Sequence, residues 1–407
     1  MKLPRMVWVV GLLLCFAAAV NYLDRQALGI VSFDIRREFS LNEQDYADIL
    51  SVFFLAYTVM YAVSGYLLDR MGTRVGFAVF MFGWSVAQIL HGFAQGKWSL
   101  AAFRFLLGVT EPGAWPGAAK AVNEWFPERH RALGMGTFNA GTSLGSLAAP
   151  IVIAALALRF GWRYAFIFTG VSGMVWIAAW LAFYYTPATH VEEQRHAAVT
   201  PWWNLAAARG CWVLILTRFF TDPVIFFVVF WLPEYLRKER GFDLAMVGKY
   251  SWIPFLFGGI GYLFGGWLSG RLMHAGWTLP RARKFVMALG AAVMPVAIAA
   301  PFVPTAALAI AATCFITFGH ALWVANLQTL PADMFRSSEV GTVTGFTGVG
   351  GSFGSLLAQL GTGYLVVHFS YAPVFLLAGL MHPFSACLTY WLLPDRCFGP
   401  STKTQYE

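Results

Sequence analysis

The chain has 407 residues, of which 58% are hydrophobic and 12% are charged, and its formal net charge is +8. Soluble domains carry about twice that charged fraction, so a water-soluble chain of this composition could not cover its surface with polar groups. The composition therefore excludes an ordinary soluble enzyme or binding domain and indicates a membrane protein. No loop concentrates the positive charge, so the charge does not indicate a nucleic-acid partner.

Apolar runs long enough for helices to cross a bilayer follow one another along the chain. A helix satisfies its own backbone hydrogen bonds in hydrocarbon, so each run is interpreted as one membrane-spanning helix. Twelve spans are predicted, at 6–32, 46–68, 75–94, 98–122, 132–158, 163–185, 210–236, 247–270, 284–301, 304–330, 340–367 and 372–393.

The basic residues outside the spans indicate the orientation. With both termini in the cytoplasm, 15 Lys and Arg residues fall inside and 9 outside, as the positive-inside rule requires. We therefore expect a multi-pass protein of the cell (inner) membrane with both termini cytoplasmic. Lys2, Arg5 and the apolar run that follows also imitate a signal peptide. Cleavage there would destroy the first span, so a retained helix is favoured.

Two pairs of similar segments relate the halves of the chain. GYLLDR (65–70) resembles GWLSGR (266–271), and GTSLGSLAA (141–149) resembles GGSFGSLLA (350–358). Each offset corresponds to six spans, which predicts a parallel repeat. The prediction is an all-α membrane protein of two pseudo-symmetric six-helix bundles, residues 1–187 and 209–407, joined by a cytoplasmic linker at 188–208.

The second pair also reads G-x-S-x-G, a pattern of hydrolase nucleophiles. That pattern requires a strand-to-helix turn, whereas both copies lie within predicted helices. Glycines four residues apart favour close helix packing instead. A membrane-embedded enzyme stays the weaker alternative, because neither H-E-x-x-H nor C-x-x-C occurs and the five cysteines show no paired spacing.

Charged residues within predicted spans are costly unless they face a partner or a cavity. Arg104 and Glu111 lie seven residues apart, which on a continuous helix places them on one face about 10.5 Å apart. Pro112 and Pro116 predict a kink in the same span. The alternative is a purely structural role, in which Arg104 and Glu111 pair with each other and only fix the packing of this span.

Similar charges occur in the first and seventh spans. Asp24 and Arg25 lie in the former, and Arg218 and Asp222 lie in the latter at helical spacing. Arginines suit carboxylate capture, and buried acids are neutralised by protons, so the combination indicates proton-coupled transport of an anion. We expect these groups to face a shared aqueous cavity between the bundles.

Several motifs resemble those of a known family. The segment 65–75, with Asp69, Arg70, Gly72 and Arg74, resembles the loop-2/3 gating motif of the major facilitator superfamily. NYLDR (21–25), the segments 104–120 and 124–141, and RFFTDP (218–223) resemble its anion:cation symporter branch, and hexuronate and galactonate permeases in particular. The resemblance implies that spans one, four and seven line a central cavity, and that Asp69 and the arginines latch one state.

The residues and the resemblance together assign candidate roles. Glu111 is the first candidate for proton coupling, followed by Asp24 and Asp222. Arg25 is the first candidate for binding the substrate carboxylate, and Arg104 is a contact or a coupling residue. Further substrate-binding candidates, each of which could instead make interhelical hydrogen bonds, are Arg218, Tyr22, Tyr57, Asn139, His320, Asn326, Gln328 and Gln359.

The expected function is import of a small organic anion, such as a hexuronate or aldonate, with protons and by alternating access. The alternative within this fold is an efflux carrier, which would have a wider apolar cavity and fewer fixed arginines. No metal or cofactor beyond the co-transported proton is expected, and a monomer in the lipid bilayer suffices. His91, His274 and His368 lie at span ends, where no chemical role is expected.

Overall fold

The computed structural model describes residues 4–126, 131–186, 202–335 and 339–398, and within them the regular structure is entirely helical. The helices are α1 (Arg5–Phe39), α2 (Glu43–Met71), α3 (Thr73–His91), α4 (Lys97–Thr110), α5 (Ala114–Trp125), α6 (Arg131–Phe160), α7 (Trp162–Phe183), α8 (Trp202–Ala207), α9 (Arg209–Arg240), α10 (Leu244–Tyr250), α11 (Ile253–His274), α12 (Leu279–Val293), α13 (Val296–Ala299), α14 (Ala306–Leu327), α15 (Leu330–Met334), α16 (Val340–His368) and α17 (Ala372–Leu392).

Ten helical segments of the described chain are long and apolar enough to cross a membrane. The predicted spans 98–122 and 340–367 are not among them. The first is divided into α4, a 3-10 turn at Glu111–Gly113 and α5, and neither helix alone is long enough. The second, α16, has 29 residues, but many are Gly, Ser or Thr, which lowers its hydropathy. The all-helical membrane fold is confirmed, and the count of twelve stays a prediction.

The chain forms two compact units. Unit 1 comprises Met1–Ala197 with Arg237–Trp252, and unit 2 comprises Ala198–Leu236 with Ile253–Glu407. Most of the predicted linker, residues 188–201, lies outside the described residues, and the rest of it includes α8. The predicted boundaries of the two bundles therefore stay a prediction.

Glycines of the repeated segments allow close helix packing in each unit. In unit 1, a methyl group at Gly141 or Gly145 of α6 would collide with backbone carbonyl oxygens of α1. In unit 2, a methyl group at Gly350 or Gly354 of α16 would collide with backbone carbonyl oxygens of α9. The packing interpretation of G-x-S-x-G is confirmed, since both copies lie in regular helices against a neighbouring backbone.

Candidate functional site

A buried ion pair joins α1 to the 3-10 turn after α4. Arg25 donates from Nε to Oε1 of Glu111 at 2.8 Å, and its Nη2 donates to the same oxygen. The Arg25 Nη2 also donates to the hydroxyl of Tyr57 at 3.2 Å. Arg25 is 3% exposed and Glu111 is 1% exposed, so the pair is closed to solvent within unit 1. Arg25, the first candidate for binding the substrate carboxylate, is here paired with the carboxylate of Glu111.

The turn at Glu111–Gly113 explains this pairing. Helix α4 ends at Thr110, and Pro112, which has no N–H and a fixed φ, lies within the 3-10 turn. The N–H of Glu111 still donates to the carbonyl oxygen of Leu107, so the helical path continues as far as Glu111, and the expected shared face with Arg104 stays a prediction. The three guanidinium nitrogens of Arg104 make no hydrogen bond, and Glu111 pairs with Arg25 of another helix instead.

Aromatic rings surround the Arg25 guanidinium. Its Cζ lies 5.5 Å from the ring centroid of Tyr22, 5.2 Å from that of Tyr57 and 6.0 Å from that of Trp115. Such rings attract a cation through their faces. The sequence candidates Tyr22 and Tyr57 therefore do lie at this site, with their rings next to the guanidinium.

Two further charged groups of unit 1 are buried without hydrogen bonds. Arg104 is 0% exposed and contacts the Phe53 ring, with its Cζ 5.9 Å from the centroid. Both carboxyl oxygens of Asp24 and the Oε2 of Glu111 are also buried and without a hydrogen-bond partner. Unsatisfied buried charges are costly. Asp24, Arg104 and Glu111 thus retain unused capacity for a proton or a polar ligand, and together with Arg25 they are called the unit 1 site below.

Two polar residues of α3 lie near this site, of which Gln88 was not identified from the sequence. Gln88 donates from Nε2 to the backbone oxygen of Asp24 at 3.3 Å and to Oγ1 of Thr169 at 3.1 Å. His91, placed by the sequence at a span end, is fully buried, and its Nδ1 lies 2.7 Å from the carbonyl oxygen of Ala87. Their i, i+3 spacing puts both on one helix face, which is the signal that could have identified them.

Unit 2 holds a different set of polar groups. Arg218 donates from Nε to Oδ2 of Asp222 at 2.9 Å, an i, i+4 pair within α9. His320 Nδ1 of α14 lies 3.1 Å from His382 Nε2 of α17. The positive charge of Arg218 disfavours a second positive charge on His320 through electrostatic repulsion. Arg218, Asp222, His320 and His382 are called the unit 2 site below, and sequence analysis missed His382.

The other predicted substrate-binding residues of the described chain make their side-chain hydrogen bonds outside the two sites or are exposed. Gln359 accepts a hydrogen bond from Nε1 of the fully buried Trp231 at 2.7 Å. Asn326 accepts from Nη1 of Arg283 at 3.3 Å and donates to two backbone carbonyls, which gives its amide a structural role. Gln328 and Asn139 are exposed in the described chain.

The segment 69–74 forms a tight connection between α2 and α3. Gly72 has φ of 75°, which favours glycine and explains its place in the motif. The Arg70 Cζ lies 4.6 Å from the Tyr66 centroid, and Arg74 donates to the Leu181 carbonyl at 2.6 Å. The side chain of Asp69 lies outside the described residues. The predicted latch therefore stays a prediction.

Known proteins resemble this chain over nearly its whole length. A family profile described as Major Facilitator Superfamily matches residues 14–359 and 274–407. The hexuronate transporter of Escherichia coli (strain K12) is 29% identical over 413 residues, covering 97% of this chain and 96% of the relative. The galacturonate transporter of Dickeya chrysanthemi is 29% identical over 311 residues, covering 72% and 90%.

A solved structure gives the same fold. The bacterial homologue of the human lysosomal transporter Spinster, in an inward-facing and unoccupied conformation, superposes with a TM-score of 0.79. The two chains are 17% identical, and the match covers 98% of each. At this identity the likeness concerns the fold alone.

Proposed function

The chain belongs to the major facilitator superfamily, and we propose on that premise that it imports a small sugar-acid anion together with protons. It is a membrane transporter and not an enzyme. The proposed carrier works by alternating access between two bundles, residues 1–187 and 209–407, in the cell (inner) membrane with both termini cytoplasmic. A monomer contains every residue that the proposal uses.

The substrate class is supported by the relatives and by the charge of the unit 1 site. The relatives carry names of hexuronate and galacturonate transporters, and both substrates are sugar acids. The aromatic-lined Arg25 offers the planar donor geometry that suits a carboxylate. Sugar hydroxyls both donate and accept hydrogen bonds, and the unit 2 site contains imidazole groups that can do the same.

The contact between Arg25 and Glu111 is the observation that carries the coupling mechanism. A substrate carboxylate that takes Arg25 leaves Glu111 as an unpaired buried acid. Such an acid is stable in its protonated form, since burial penalises the charge. Conversely, a protonated Glu111 binds Arg25 less strongly and frees it for the substrate. Proton and anion therefore favour each other's binding, and this linkage is reciprocal.

Asp24 is the second proposed proton site. Arg104 is proposed to influence the protonation of both Asp24 and Glu111 through its charge. Neither carboxyl oxygen of Asp24 makes a hydrogen bond of standard geometry, and the carboxyl group lies near the Thr169 hydroxyl, so a proton there has few contacts to displace. The charge of Arg104 acts electrostatically on Asp24 and Glu111 without binding either. Removing Arg104 thereby changes proton coupling more than it changes substrate contacts.

Reconstituted protein tests the proposal. Purified protein in liposomes is expected to accumulate labelled D-glucuronate when the outside is acidic, and to leave a neutral hexose outside. Glu38→Gln is the matched control for Glu111→Gln, the variant that removes the proposed proton site. Glu38 is an exposed acid of α1 that pairs with Arg163. If wild-type uptake of D-glucuronate does not depend on the proton gradient, the proposed coupling is wrong. If the protein takes up the neutral hexose selectively, the proposed substrate class is wrong.

A further inference from the structure

A long stretch of unit 2 contains no acidic residue. The sequence has neither Asp nor Glu from 244 to 332, whereas the segment 271–284 contains three Arg, one Lys and one His. This segment comprises the last turn of α11, the connection that follows it and the first turns of α12. Positive charge without local acids therefore collects at one end of two consecutive helices.

Two of the four Lys and Arg charges are neutralised inside the protein. Arg283 donates from Nε to Oδ2 of Asp333 at 3.0 Å, and Lys284 donates from Nζ to Oδ1 of Asp395 at 2.6 Å. Arg283 also donates from Nη1 to Oγ of the buried Ser269 at 3.1 Å. This last bond joins the first turns of α12 to the last turns of α11, so the two helix ends lie side by side.

The other two arginines remain exposed at these helix ends. Arg271 and Arg281 make no ion pair with any residue that the structure describes. The Arg281 Cζ lies 5.1 Å from the ring centroid of Trp277, which packs in turn against Phe285 with centroids 5.2 Å apart. His274, the last residue of α11, is exposed as well. This part of the chain thus presents two uncompensated guanidinium groups to its surroundings.

The exposed side of α11 leads to Arg271 along an apolar stripe. Leu263 is 78% exposed and Trp267 is 59% exposed, and Arg271 continues their spacing of four residues. Lipid acyl chains cover such a stripe on a membrane helix, and tryptophan is typical of the level of the headgroups. With the proposed cytoplasmic termini, this end of α11 lies at the cytoplasmic leaflet, whose anionic headgroups attract basic residues.

The related segment of unit 1 differs at an informative position. GYLLDR (65–70) has Asp69 directly before its arginine, whereas GWLSGR (266–271) has Gly270 there. An acid beside the arginine would repel a lipid phosphate, and the unit 2 copy lacks it. We propose that Arg271 and Arg281 bind the headgroup phosphates of anionic phospholipids at the cytoplasmic ends of α11 and α12. Guanidinium groups suit phosphate oxygens because they donate through a planar fork.

Native mass spectrometry of the full chain in detergent measures this binding. The wild-type protein is expected to bind phosphatidylglycerol more tightly than phosphatidylcholine with the same acyl chains. Replacing both arginines, Arg271→Gln with Arg281→Gln, is expected to weaken phosphatidylglycerol binding about fivefold for each arginine removed. Lysine at both positions keeps the charge and is expected to preserve most of the binding.

Arg159→Gln is the matched control. Arg159 is also exposed beside an aromatic ring, with its Cζ 5.3 Å from the Phe160 centroid, but it lies at the end of α6 on the predicted outer side. Its removal is expected to leave phosphatidylglycerol binding unchanged. If the double variant does not fold, the single Gln variants are each expected to show the fivefold loss.

Two results would overturn the proposal. One is equal affinity of the wild type and the Gln variants for phosphatidylglycerol. The other is clearly tighter phosphatidylglycerol binding after Glu192→Gln with Glu193→Gln, because acids of the linker would then occupy the arginines in place of lipid. The measurement uses no transported substrate, so its outcome is independent of the proposed function.

Discussion

The two units hold ionisable groups in contrasting ways. In the unit 1 site, two arginines and two acids are buried, the ion pair joins distant parts of the chain, and several polar atoms have no hydrogen bond. In the unit 2 site, Arg218 and Asp222 are neighbours on one helix, and two histidines satisfy each other. Unmet charge makes a site responsive to protons, whereas locally paired charge resists change. This contrast supports the proposal that proton coupling belongs to unit 1 and substrate orientation to unit 2.

Glu111→Gln is expected to have the largest effect and tests this contrast directly. Gln cannot take up a proton, so uptake driven by a proton gradient should be lost while exchange of substrate across the membrane persists. The coupling removed is about 1–3 kcal/mol, or 5–150-fold. Proteoliposomes with an imposed pH gradient, compared with counterflow at equal pH, measure the two activities. Gradient-driven accumulation that remained normal would end the assignment of coupling to unit 1.

Arg25→Lys is expected to have the next largest effect. Lysine keeps the charge but loses the planar fork that donates from Nε and Nη2. The KM for D-glucuronate should rise about tenfold, which corresponds to about 1.4 kcal/mol. Thermal unfolding in detergent controls for a structural defect. If a stable Arg25→Lys protein binds D-glucuronate with wild-type affinity, another residue binds the substrate carboxylate. Arg218 would then be the first residue to test.

Asp222→Asn tests the comparison at the unit 2 site, where we expect a smaller effect. The partner of Asp222 lies four residues away on the same helix, and the Arg218 side chain is 22% exposed, so water can solvate its charge when the carboxylate is replaced. Transport should therefore fall by no more than about threefold, with an unchanged dependence on the pH gradient. Initial uptake rates across a series of external pH values provide the measurement. A loss of pH dependence as severe as in Glu111→Gln would make the two sites equivalent.

Gln328→Ala is expected to have the smallest effect. The side chain is exposed at the end of α14, outside both sites. Surface substitutions of this kind change stability by about 0.5 kcal/mol or less, and the KM should not change. Parallel uptake and melting curves of this variant and the wild type suffice. A raised KM would return Gln328 to the substrate-binding residues.

Much of the fold and part of the site could be predicted from the sequence. The helical membrane class follows from the length of apolar runs, and the paired glycines of α6 and α16 were interpreted correctly as packing positions. Arg25, Tyr57 and Glu111 were correctly selected as polar groups that a lipid environment would reject. Their contacts were not predicted. His382 and Gln88 were missed, because a single polar residue in an apolar helix has no distinctive local pattern.

Local patterns by themselves determined the membrane class, the repeat and the choice of charged residues, because the cost of burying charge in hydrocarbon depends on composition over about 20 residues. Only the tertiary structure decided which groups meet. Arg25 and Glu111 are 86 residues apart in the chain, and Glu111 pairs with Arg25 although it directly follows the helix that carries Arg104. Hydrogen-bond partners depend on distances of a few ångströms and on the direction of each side chain. The spacing of residues along one helix predicts neither the distances to other helices nor the directions of the side chains.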